Sequence, residues 1–441
     1  MKNLFKFTVF LLLILFNFSC KNHPKTKKEK SLQNQLLSNF EGRKVFFENA
    51  QNAIDEYLKN LSFEEKVFQL FVINLDGNEN FVPIEFEDDI DKSYSHKKPL
   101  IPGGYLFFSY NISKNPQKII EFTDSIKNFA IENKITPPYL SIDQEGGSVN
   151  RLRGISGALP SQARITEKLS VEEAYELYSY QAKELKLLGF NLNFSPVTEI
   201  LTPKNQDFLG DRSFGSKSKV VSYGRSAINA FQNQGIASVI KHFPGNTNVD
   251  PHSGLPEIDW SNDELKENLF PFKVLSSVPP AGILMSHARI PLLDAEPACL
   301  SEKWISSKLI SDFNYKGIIF SDDIYMAALS KNGYSPEKAS VMAINAGVNS
   351  IMISEKRFSK AAKVLILQAE KDENFKTKIE NSVRKLIDFK IKAGILKFKS
   401  ENEKLVLVAE KNSQSVQDRV SEFENEKVKN VNFYWQKFDP R

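Results

Sequence analysis

Two adjacent aspartates, Asp322 and Asp323, close a short apolar run and are residues whose type and position suit chemistry. The run Gly317–Phe320 has the composition of a buried strand, and successive side chains of a strand point to opposite sides. One carboxylate can therefore face a given site, where it would act as a nucleophile or a metal ligand. Alternatively, an aspartate here caps a following helix over residues 324–330. The pair by itself leaves these alternatives open.

Two of the chain's five histidines, His242 and His252, fall in one short stretch. Asp250 lies two residues before His252 in a loop, a spacing that lets the carboxylate reach the imidazole. Such an aspartate fixes the histidine tautomer and stabilises the imidazolium, so His252 could donate and accept a proton near neutral pH. A metal site built from both histidines is the alternative. Lys241, beside His242, opposes a bound cation, and no tight ligand spacing is present.

Two further loops combine glycines with charged residues. Asp143 is followed by Gln-Glu-Gly-Gly-Ser and then by Arg151, and paired glycines after a strand permit a tight turn. They could also cradle a phosphate, but neither a P-loop nor a GxGxxG pattern is present. The second loop, Gly210–Gly215, holds Arg212, which could reach across the same face. An arginine in a loop is more often structural than ligand-binding, so each loop alone says little.

These residues lie at the ends of short apolar runs that alternate with longer amphipathic stretches. Eight runs are present, and they begin at Leu70, Gly104, Tyr139, Phe190, Ala237, Gly282, Gly317 and Ser350. Strands that alternate with helices indicate parallel βαβ units. Eight units predict an α/β fold, a (β/α)₈ TIM-type barrel, as a single catalytic domain over residues 44–397. A doubly wound open sheet is the alternative.

The barrel prediction also explains where the polar residues fall. Six of the runs end in a polar side chain, namely Asp143, Ser195, His242, His287, Asp322 and Ser354. In a barrel the C-terminal ends of the strands share one face, and that face carries the active site. A structural protein would have little cause to gather polar groups there, so the pattern favours an enzyme.

The N-terminus predicts export. Lys2 and Lys6 precede an apolar stretch, residues 7–16, that is too short to span a bilayer comfortably, and a small residue then precedes Cys20. We expect residues 1–20 to be a lipoprotein-type signal peptide that ends at the lipidation site, Cys20. An uncleaved anchor helix is the alternative. The expected location is the cell envelope, as a membrane-anchored lipoprotein of the periplasm or the surface.

Composition and charge limit the remaining possibilities. With 41% hydrophobic and 25% charged residues the chain is ordinary for a globular protein, and a net charge of +4 gives no reason to expect nucleic acid. We expect the lysine-rich residues 21–43 to be a polar tether and residues 398–441 to be a C-terminal extension. The run Leu405–Ala409 could add a strand or a helix to the barrel. Cys299 has no disulfide partner if Cys20 carries lipid.

Together the motifs are far more specific than any of them alone. The blocks Asp-Gln-Glu-Gly-Gly…Arg, Gly-Asp-Arg-Ser-Phe-Gly, Lys-His-Phe-Pro-Gly, Asp-x-His and Phe-Ser-Asp-Asp occur in this order, each at or soon after a predicted strand end. The chain resembles glycoside hydrolase family 3, in particular its β-N-acetylglucosaminidase branch, from about Leu61 to Gly394. The resemblance implies a retaining, exo-acting enzyme, and we expect neither a metal nor a cofactor. Its substrate would be terminal β-linked N-acetylglucosamine of peptidoglycan fragments or chitooligosaccharides.

The resemblance also implies a role for each matching residue. Asp322 would be the nucleophile, and His252, paired with Asp250, would be the general acid and base. The family's sugar-binding positions match Asp143, Arg151, Arg212, Lys241 and His242. Three positions differ from the family pattern. Asn246 stands where a histidine is common, Pro251 replaces a serine between the two members of the dyad, and Ser148 follows the paired glycines where an arginine is common.

Two other functions stay open on sequence grounds. A β-glucosidase or xylosidase of the same family generally takes its acid/base from elsewhere and has tryptophan after the nucleophile, where this chain has Asp323. A non-catalytic sugar-binding lipoprotein would fit the altered loop around Asn246. Such a protein would need neither a nucleophile nor a proton shuttle.

Overall fold

The computed structural model describes residues 47–84 and 99–438. The predicted signal peptide with Cys20 and the predicted tether, residues 21–43, lie outside the described residues. The described chain divides into two compact units. The smaller unit contains residues 47–55, which are helical, together with residues 400–406. All other described residues belong to the main unit.

Eight parallel strands form the centre of the main unit. They are β1 (Phe71–Asn74), β2 (Gly104–Phe107), β3 (Tyr139–Ile142), β4 (Leu192–Asn193), β5 (Ala237–Phe243), β6 (Gly282–Met285), β7 (Ile318–Phe320) and β8 (Ile351–Ile353). Each strand pairs with its neighbours in chain order, and β8 pairs with β1, with Phe71 opposite Ile351. A parallel bridge between Phe320 and Ser350 joins the two ends of the sheet. The predicted (β/α)₈ barrel is therefore confirmed.

The strands are continuous apolar runs because helices cover their outer faces and side chains fill the inside. Every residue of β1, β2, β3 and β6 is buried. Rings from non-adjacent strands meet inside the cylinder, where Phe320 lies edge-on to Tyr139 at 6.3 Å and to Phe194 at 5.2 Å between centroids. The Tyr139 hydroxyl lies 2.9 Å from the Ser350 hydroxyl, so its polar end is satisfied within the core.

Helices connect the strands on the outside. The main ones are α1 (Phe63–Phe68), α2 (Pro116–Glu132), α3 (Val171–Leu187), α4 (Lys217–Asn233), α5 (Asn262–Ser276), α6 (Lys303–Asp312, wound as a π-helix), α7 (Pro336–Ala346), α8 (Ser359–Lys371), α9 (Glu373–Lys392) and α10 (Val416–Phe438). The capping box predicted at Ser62 starts α1, since its hydroxyl accepts from the Glu65 amide and the Glu65 carboxylate accepts from the Ser62 amide. No helix of the described residues is both long and apolar enough to cross a membrane.

Shorter elements complete the loops at the strand ends. Four single-turn or two-turn helices lie at Arg153–Ser156, Gln162–Lys168, Gln206–Leu209 and Ala327–Ser330. Two-stranded hairpins pair Gln144–Gly146 with Val149–Asn150 and Arg289–Ile290 with Asp294–Pro297. The C-terminal apolar run, which the sequence left undecided, is the strand Lys404–Val408, and Lys397–Glu401 precedes it.

The C-terminal helix α10 packs on the outside of the barrel. Phe423 is fully buried, and Arg419 forms an ion pair with Asp124 of α2. The amide of Asn430 donates to the Glu184 carboxylate of α3 at 3.1 Å. Helix α10 is therefore part of the main unit.

Candidate active site

The barrel brings charged side chains from several strands to one face. Lys241 and His242 lie within β5, and the other groups follow strand ends, because parallel strands of a barrel present their C-terminal ends together. Those that follow are Asp143 after β3, Glu199 after β4, His287 after β6 and Asp322 after β7. Each predicted strand-end residue therefore lies at the same mouth of the barrel.

Lys241 and Arg212 share one buried carboxylate, that of Glu145. The Lys241 ammonium lies 2.6 Å from the nearest carboxylate oxygen of both Asp143 and Glu145. Arg212 donates to both Glu145 oxygens at 2.9 Å, a bidentate pair. Burial of Glu145 raises its pKa, but the charges of Lys241 and Arg212 outweigh it and hold that pKa well below the usual range. The cluster is thus a fixed set of charged hydrogen-bonding groups.

The paired glycines after Asp143 are required by the backbone. Gly146 and Gly147 both have positive φ, 104° and 55°. A Cβ on Gly146 would lie 2.2 Å from the Pro160 carbonyl oxygen, and one on Gly147 would lie 2.7 Å from the Ser161 Cβ. The predicted tight turn is present, and it positions the Glu145 carboxylate next to Lys241 and Arg212.

His242 is oriented by a second buried carboxylate, that of Glu199. The His242 Nδ1 lies 2.7 Å from Glu199 Oε1, and the Asn246 amide donates to the same oxygen at 3.0 Å. A carboxylate only accepts, so Nδ1 carries the proton and a neutral His242 presents Nε2 as an acceptor. Asn246, which differs from the family pattern, therefore helps to position His242. The peptide bond between Lys241 and His242 is cis.

The two adjacent aspartates have different surroundings, as the strand geometry predicts. Asp323 is nearly buried and accepts from the Tyr325 amide at 3.0 Å and the Ser354 amide at 3.1 Å. Burial raises the pKa of Asp323. Asp323 thus organises the turn after β7, and the helix begins later than predicted, at Ala327.

Asp322 is partly accessible, with 17% of its side chain exposed. Its Oδ2 lies 3.8 Å from Nε2 of the fully buried His287, and that nitrogen has no hydrogen-bond partner among the described residues. His287 Nδ1 lies 3.4 Å from the Cys299 sulfur, and burial raises the pKa of that thiol well above its usual value. The buried His287 imidazole therefore flanks Asp322 on its buried side.

The predicted dyad forms, but in an exposed loop. Asp250 Oδ1 lies 2.7 Å from His252 Nδ1 and accepts from the His252 amide at 2.9 Å. Those bonds, the amide bond first, lower the pKa of Asp250. About 75% of the His252 side chain is exposed, and no hydrogen bond within the described residues joins the dyad to Asp322.

The dyad loop is fastened on both sides. The Asn248 side chain accepts from the Asp207 amide at 2.9 Å and donates to the Pro203 carbonyl at 3.0 Å. The Ala328 amide donates to the Pro251 carbonyl at 3.0 Å, which ties the loop to the helix that follows Asp322. The loop therefore lies beside the mouth of the barrel.

Among the described residues, no side-chain hydrogen bond or ion pair joins Arg151 to the Lys241 cluster. Its guanidinium carbon is 5.6 Å from the centre of the Phe108 ring, and its Nε has no hydrogen-bond partner among the described residues. Its backbone amide donates to the Gln144 side chain at 2.7 Å. The guanidinium thus lies near the end of β2, and its Nε can still donate a hydrogen bond to a ligand.

Three residues of this face had no assigned role in the sequence analysis. Glu145 lies inside the Asp-Gln-Glu-Gly-Gly block, where its position beside the glycines could have drawn attention. His287 was noted only as a polar strand end. Glu199 gave no signal, because it follows β4 by several residues in an irregular segment. In the described part of the chain no group of three or more His, Cys, Asp or Glu residues could hold a metal ion.

Comparison with known families adds an independent line of evidence. Residues 62–389 match the model of the glycosyl hydrolase family 3 N terminal domain. The matched segment contains all eight strands of the barrel and extends from α1 into α9.

Two relatives illustrate the similarity in sequence. The chain is 31% identical over 276 residues to "Beta-hexosaminidase A" of Pseudoalteromonas piscicida, a match that covers 56% of this chain and 45% of the relative. It is 32% identical over 266 residues to "Beta-hexosaminidase" of Nitrosomonas eutropha, covering 58% of this chain and 74% of that one. The match therefore spans less than half the length of the first relative and about three quarters of the second.

A solved structure shows the same similarity in three dimensions. It is that of a glycoside hydrolase family 3 β-N-acetylglucosaminidase from Paenibacillus sp. str. FPU-7, with a TM-score of 0.67 and 27% sequence identity. The superposition covers 83% of this chain and 69% of the other.

Proposed function

The chain belongs to glycosyl hydrolase family 3, and on that premise we propose that it is a retaining, exo-acting β-N-acetylglucosaminidase. It removes terminal β-linked N-acetylglucosamine from peptidoglycan fragments or chitooligosaccharides. The observation that carries the proposal is the charged cluster of Asp143, Glu145, Arg212 and Lys241 at the same barrel face as the accessible carboxylate of Asp322. The names of the similar proteins, two β-hexosaminidases and a β-N-acetylglucosaminidase, support the choice of sugar.

The cluster suits a sugar because it offers several charged donors and acceptors in fixed positions. Asp143, Arg151, Arg212, Lys241 and His242 are the proposed sugar-binding residues. Their hydrogen bonds to ring hydroxyls strengthen as positive charge develops at the anomeric carbon. Glu145 acts through Lys241 and Arg212, since it neutralises and orients both.

In the first step Asp322 attacks the anomeric carbon. A bond forms between the carboxylate oxygen and that carbon, the bond to the leaving oxygen breaks, and His252 gives its proton to the leaving oxygen. The product of this step is a glycosyl ester of Asp322. Asp250 holds the His252 ring and stabilises its protonated form.

In the second step water attacks the same carbon from the opposite side. His252 takes a proton from the water, the ester bond breaks, and Asp322 is released as a carboxylate. Two displacements leave the sugar with its original β configuration. Because His252 is exposed in the structure, the segment that carries the dyad must close over the bound sugar before either proton transfer, while Asn248 stays anchored to Asp207 and Pro203.

Kinetics on two glycosides tests the proposal. The full chain should hydrolyse 4-nitrophenyl β-N-acetylglucosaminide in preference to the β-glucoside, and Asp322→Asn should reduce turnover at least about a thousandfold. Preference for the glucoside would overturn the sugar assignment. Absence of turnover in a folded protein that still binds N-acetylglucosamine would favour a sugar-binding lipoprotein instead.

The proposed location follows from the N-terminal sequence. Residues 1–20 would direct export, and a lipid on Cys20 would hold the enzyme at the membrane of the cell envelope. Labelled fatty acid should appear in the wild-type protein and not in Cys20→Ser. Label retained by Cys20→Ser would contradict the anchor.

A further inference from the structure

Two aromatic rings, Phe108 and Tyr110, follow β2 at the mouth of the barrel. Their planes are inclined by only 17° and their centroids lie 5.9 Å apart, so the rings stack. Tyr110 is 56% exposed, which is far more than core packing would leave. The pair therefore presents apolar surface at the face that carries Asp322.

The exposed ring of Tyr110 has a fixed orientation. Its hydroxyl donates to the side-chain oxygen of Asn74, a fully buried residue at the end of β1. The Asn74 amide in turn donates to the Leu106 carbonyl and to Asn111 Oδ1, both at 3.0 Å. The hydroxyl end is thus tied to the barrel while the ring faces solvent, and a pre-oriented ring loses little freedom when a ligand stacks on it.

The ring lies on the rim between the nucleophile side and the proposed sugar-binding side. Three contacts connect the end of β7 to Tyr110. Asp323, after β7, accepts from the Ser354 amide, which follows β8. Strand β8 pairs with β1, and Asn74 at the end of β1 accepts from the Tyr110 hydroxyl. On the other side the Arg151 guanidinium lies over Phe108. The aromatic pair is therefore continuous with the proposed active site.

We propose that Tyr110 forms a second sugar subsite, in which the pyranose that leaves stacks on the exposed ring. The apolar C–H face of a pyranose suits a ring face, and the flanking charges do not compete, because Lys356 is paired with Asp76. The inference rests on the proposed function and deepens it. It makes an oligosaccharide, whose leaving group is itself a sugar, a better substrate than a simple alkyl glycoside.

Steady-state kinetics with two substrates tests the subsite in the full chain. N,N′-diacetylchitobiose has a sugar as its leaving group, whereas methyl β-N-acetylglucosaminide has a chemically similar alkoxide without a ring. In Tyr110→Ala the ratio of kcat/KM for the disaccharide to kcat/KM for the methyl glycoside should fall about tenfold. This corresponds to the loss of roughly 50 Å² of apolar contact. In Tyr110→Phe, which keeps the ring, the ratio should fall by less than about threefold.

A matched control is Phe270→Ala. Like Tyr110, Phe270 is an exposed aromatic residue, but it lies on the outer helix α5. The ratio should be unchanged in that variant. An unchanged ratio in Tyr110→Ala, or an equal loss in Tyr110→Phe, would overturn the stacking subsite and leave the proposed function standing. If the wild-type chain cleaves neither substrate, the proposed function itself fails, and the subsite fails with it.

Discussion

At the scale of single residues, the site depends on carboxylates that position the proposed sugar-binding groups. Glu145 and Glu199 are both nearly buried, and each binds a residue that the sequence motifs single out, Lys241 or His242. A buried carboxylate is tolerated only when paired, so removal of either one leaves its partner uncompensated. The positions of the chemically active groups are thus set by residues with no direct role in bond making.

Glu145→Gln tests this arrangement through stability. The pKa of Glu145 is lower in the folded state than in the unfolded chain. Its ionised carboxylate therefore contributes to the free energy of unfolding above the unfolded pKa, about 4.3, and this contribution is lost as pH falls towards the folded pKa. We expect the variant to lose about 3 kcal/mol of unfolding free energy at pH 7. The difference from wild type should shrink towards pH 3. Urea unfolding at both pH values measures it.

A surface carboxylate provides the control for that experiment. Glu380 pairs with Lys66 at 2.9 Å but is 44% exposed, so Glu380→Gln should change the unfolding free energy by no more than about 0.5 kcal/mol. A Glu145→Gln effect as small as this, or one that grows towards acid pH, would contradict the account of the cluster.

Sequence predicted the strand-end residues of the site because a barrel forces them to one face. It did not predict the contacts of Glu199, because those depend on how the segment after β4 folds back onto β5. The dyad contact between Asp250 and His252 is local in sequence and is present as expected. Its exposure could not be predicted, since that depends on the neighbouring loops.

At the scale of elements, the barrel was predictable because each strand is an apolar run buried on both faces. The exact bounds of the strands were less predictable, since the run Phe190–Phe194 contributes only Leu192–Asn193 to the sheet. The helix after Asp322 was expected from residue 324, but the Ile324 amide bonds to the Met352 carbonyl, and Asp323 holds the next turn. Tertiary bonds of this kind override local helix signals.

In the proposed mechanism, the position of the dyad loop determines where His252 lies during turnover. Asn248→Ala removes the side-chain bonds to Asp207 and Pro203 that fasten this loop. We expect kcat/KM for N,N′-diacetylchitobiose, whose leaving sugar needs a proton from His252, to fall about tenfold, because His252 is then less well placed. The melting temperature should change little, since the lost bonds are exposed. Steady-state kinetics and thermal melts measure both quantities.

Val249→Ala is the control for this loop variant. Val249 is exposed and follows Asn248 in the same loop, and because its side chain makes no hydrogen bond, the truncation removes none. Its kinetics should match the wild type. Equal rates for Asn248→Ala and wild type would show that the loop does not need this anchor.

At the scale of the molecule, helix α10 covers polar groups on the outside of the barrel. Glu184 of α3 is 1% exposed and is bonded to Asn430, and burial raises its pKa to about 7. A cavity of about 1040 Å³ lies beside α10 at the N-terminal end of the strands, and none of the proposed site residues lines it. The sequence identified the C-terminal extension by position but gave no hint of these contacts.

The raised pKa of Glu184 predicts pH-dependent stability. Because the pKa of Glu184 is higher in the folded state, proton binding stabilises the fold. This stabilisation is fully present below the unfolded pKa, about 4.3, and is lost as pH rises through about 7. Glu184→Gln, which stays neutral, should therefore be more stable than wild type at pH 8 by about 1–3 kcal/mol. The two should match at pH 4. Urea unfolding at both values measures this, and an equal difference at both would contradict it.

The central claim is that Asp322 carries the sugar between the two displacements, and intact-protein mass spectrometry of His252→Ala tests it most directly. With 4-nitrophenyl β-N-acetylglucosaminide the leaving group departs without a proton, whereas the second step lacks its base. The account predicts that the variant gains the mass of one N-acetylglucosamine residue and that peptide mapping assigns it to Asp322. An adduct on Asp323, or a burst of nitrophenolate without any adduct on the protein, would contradict it.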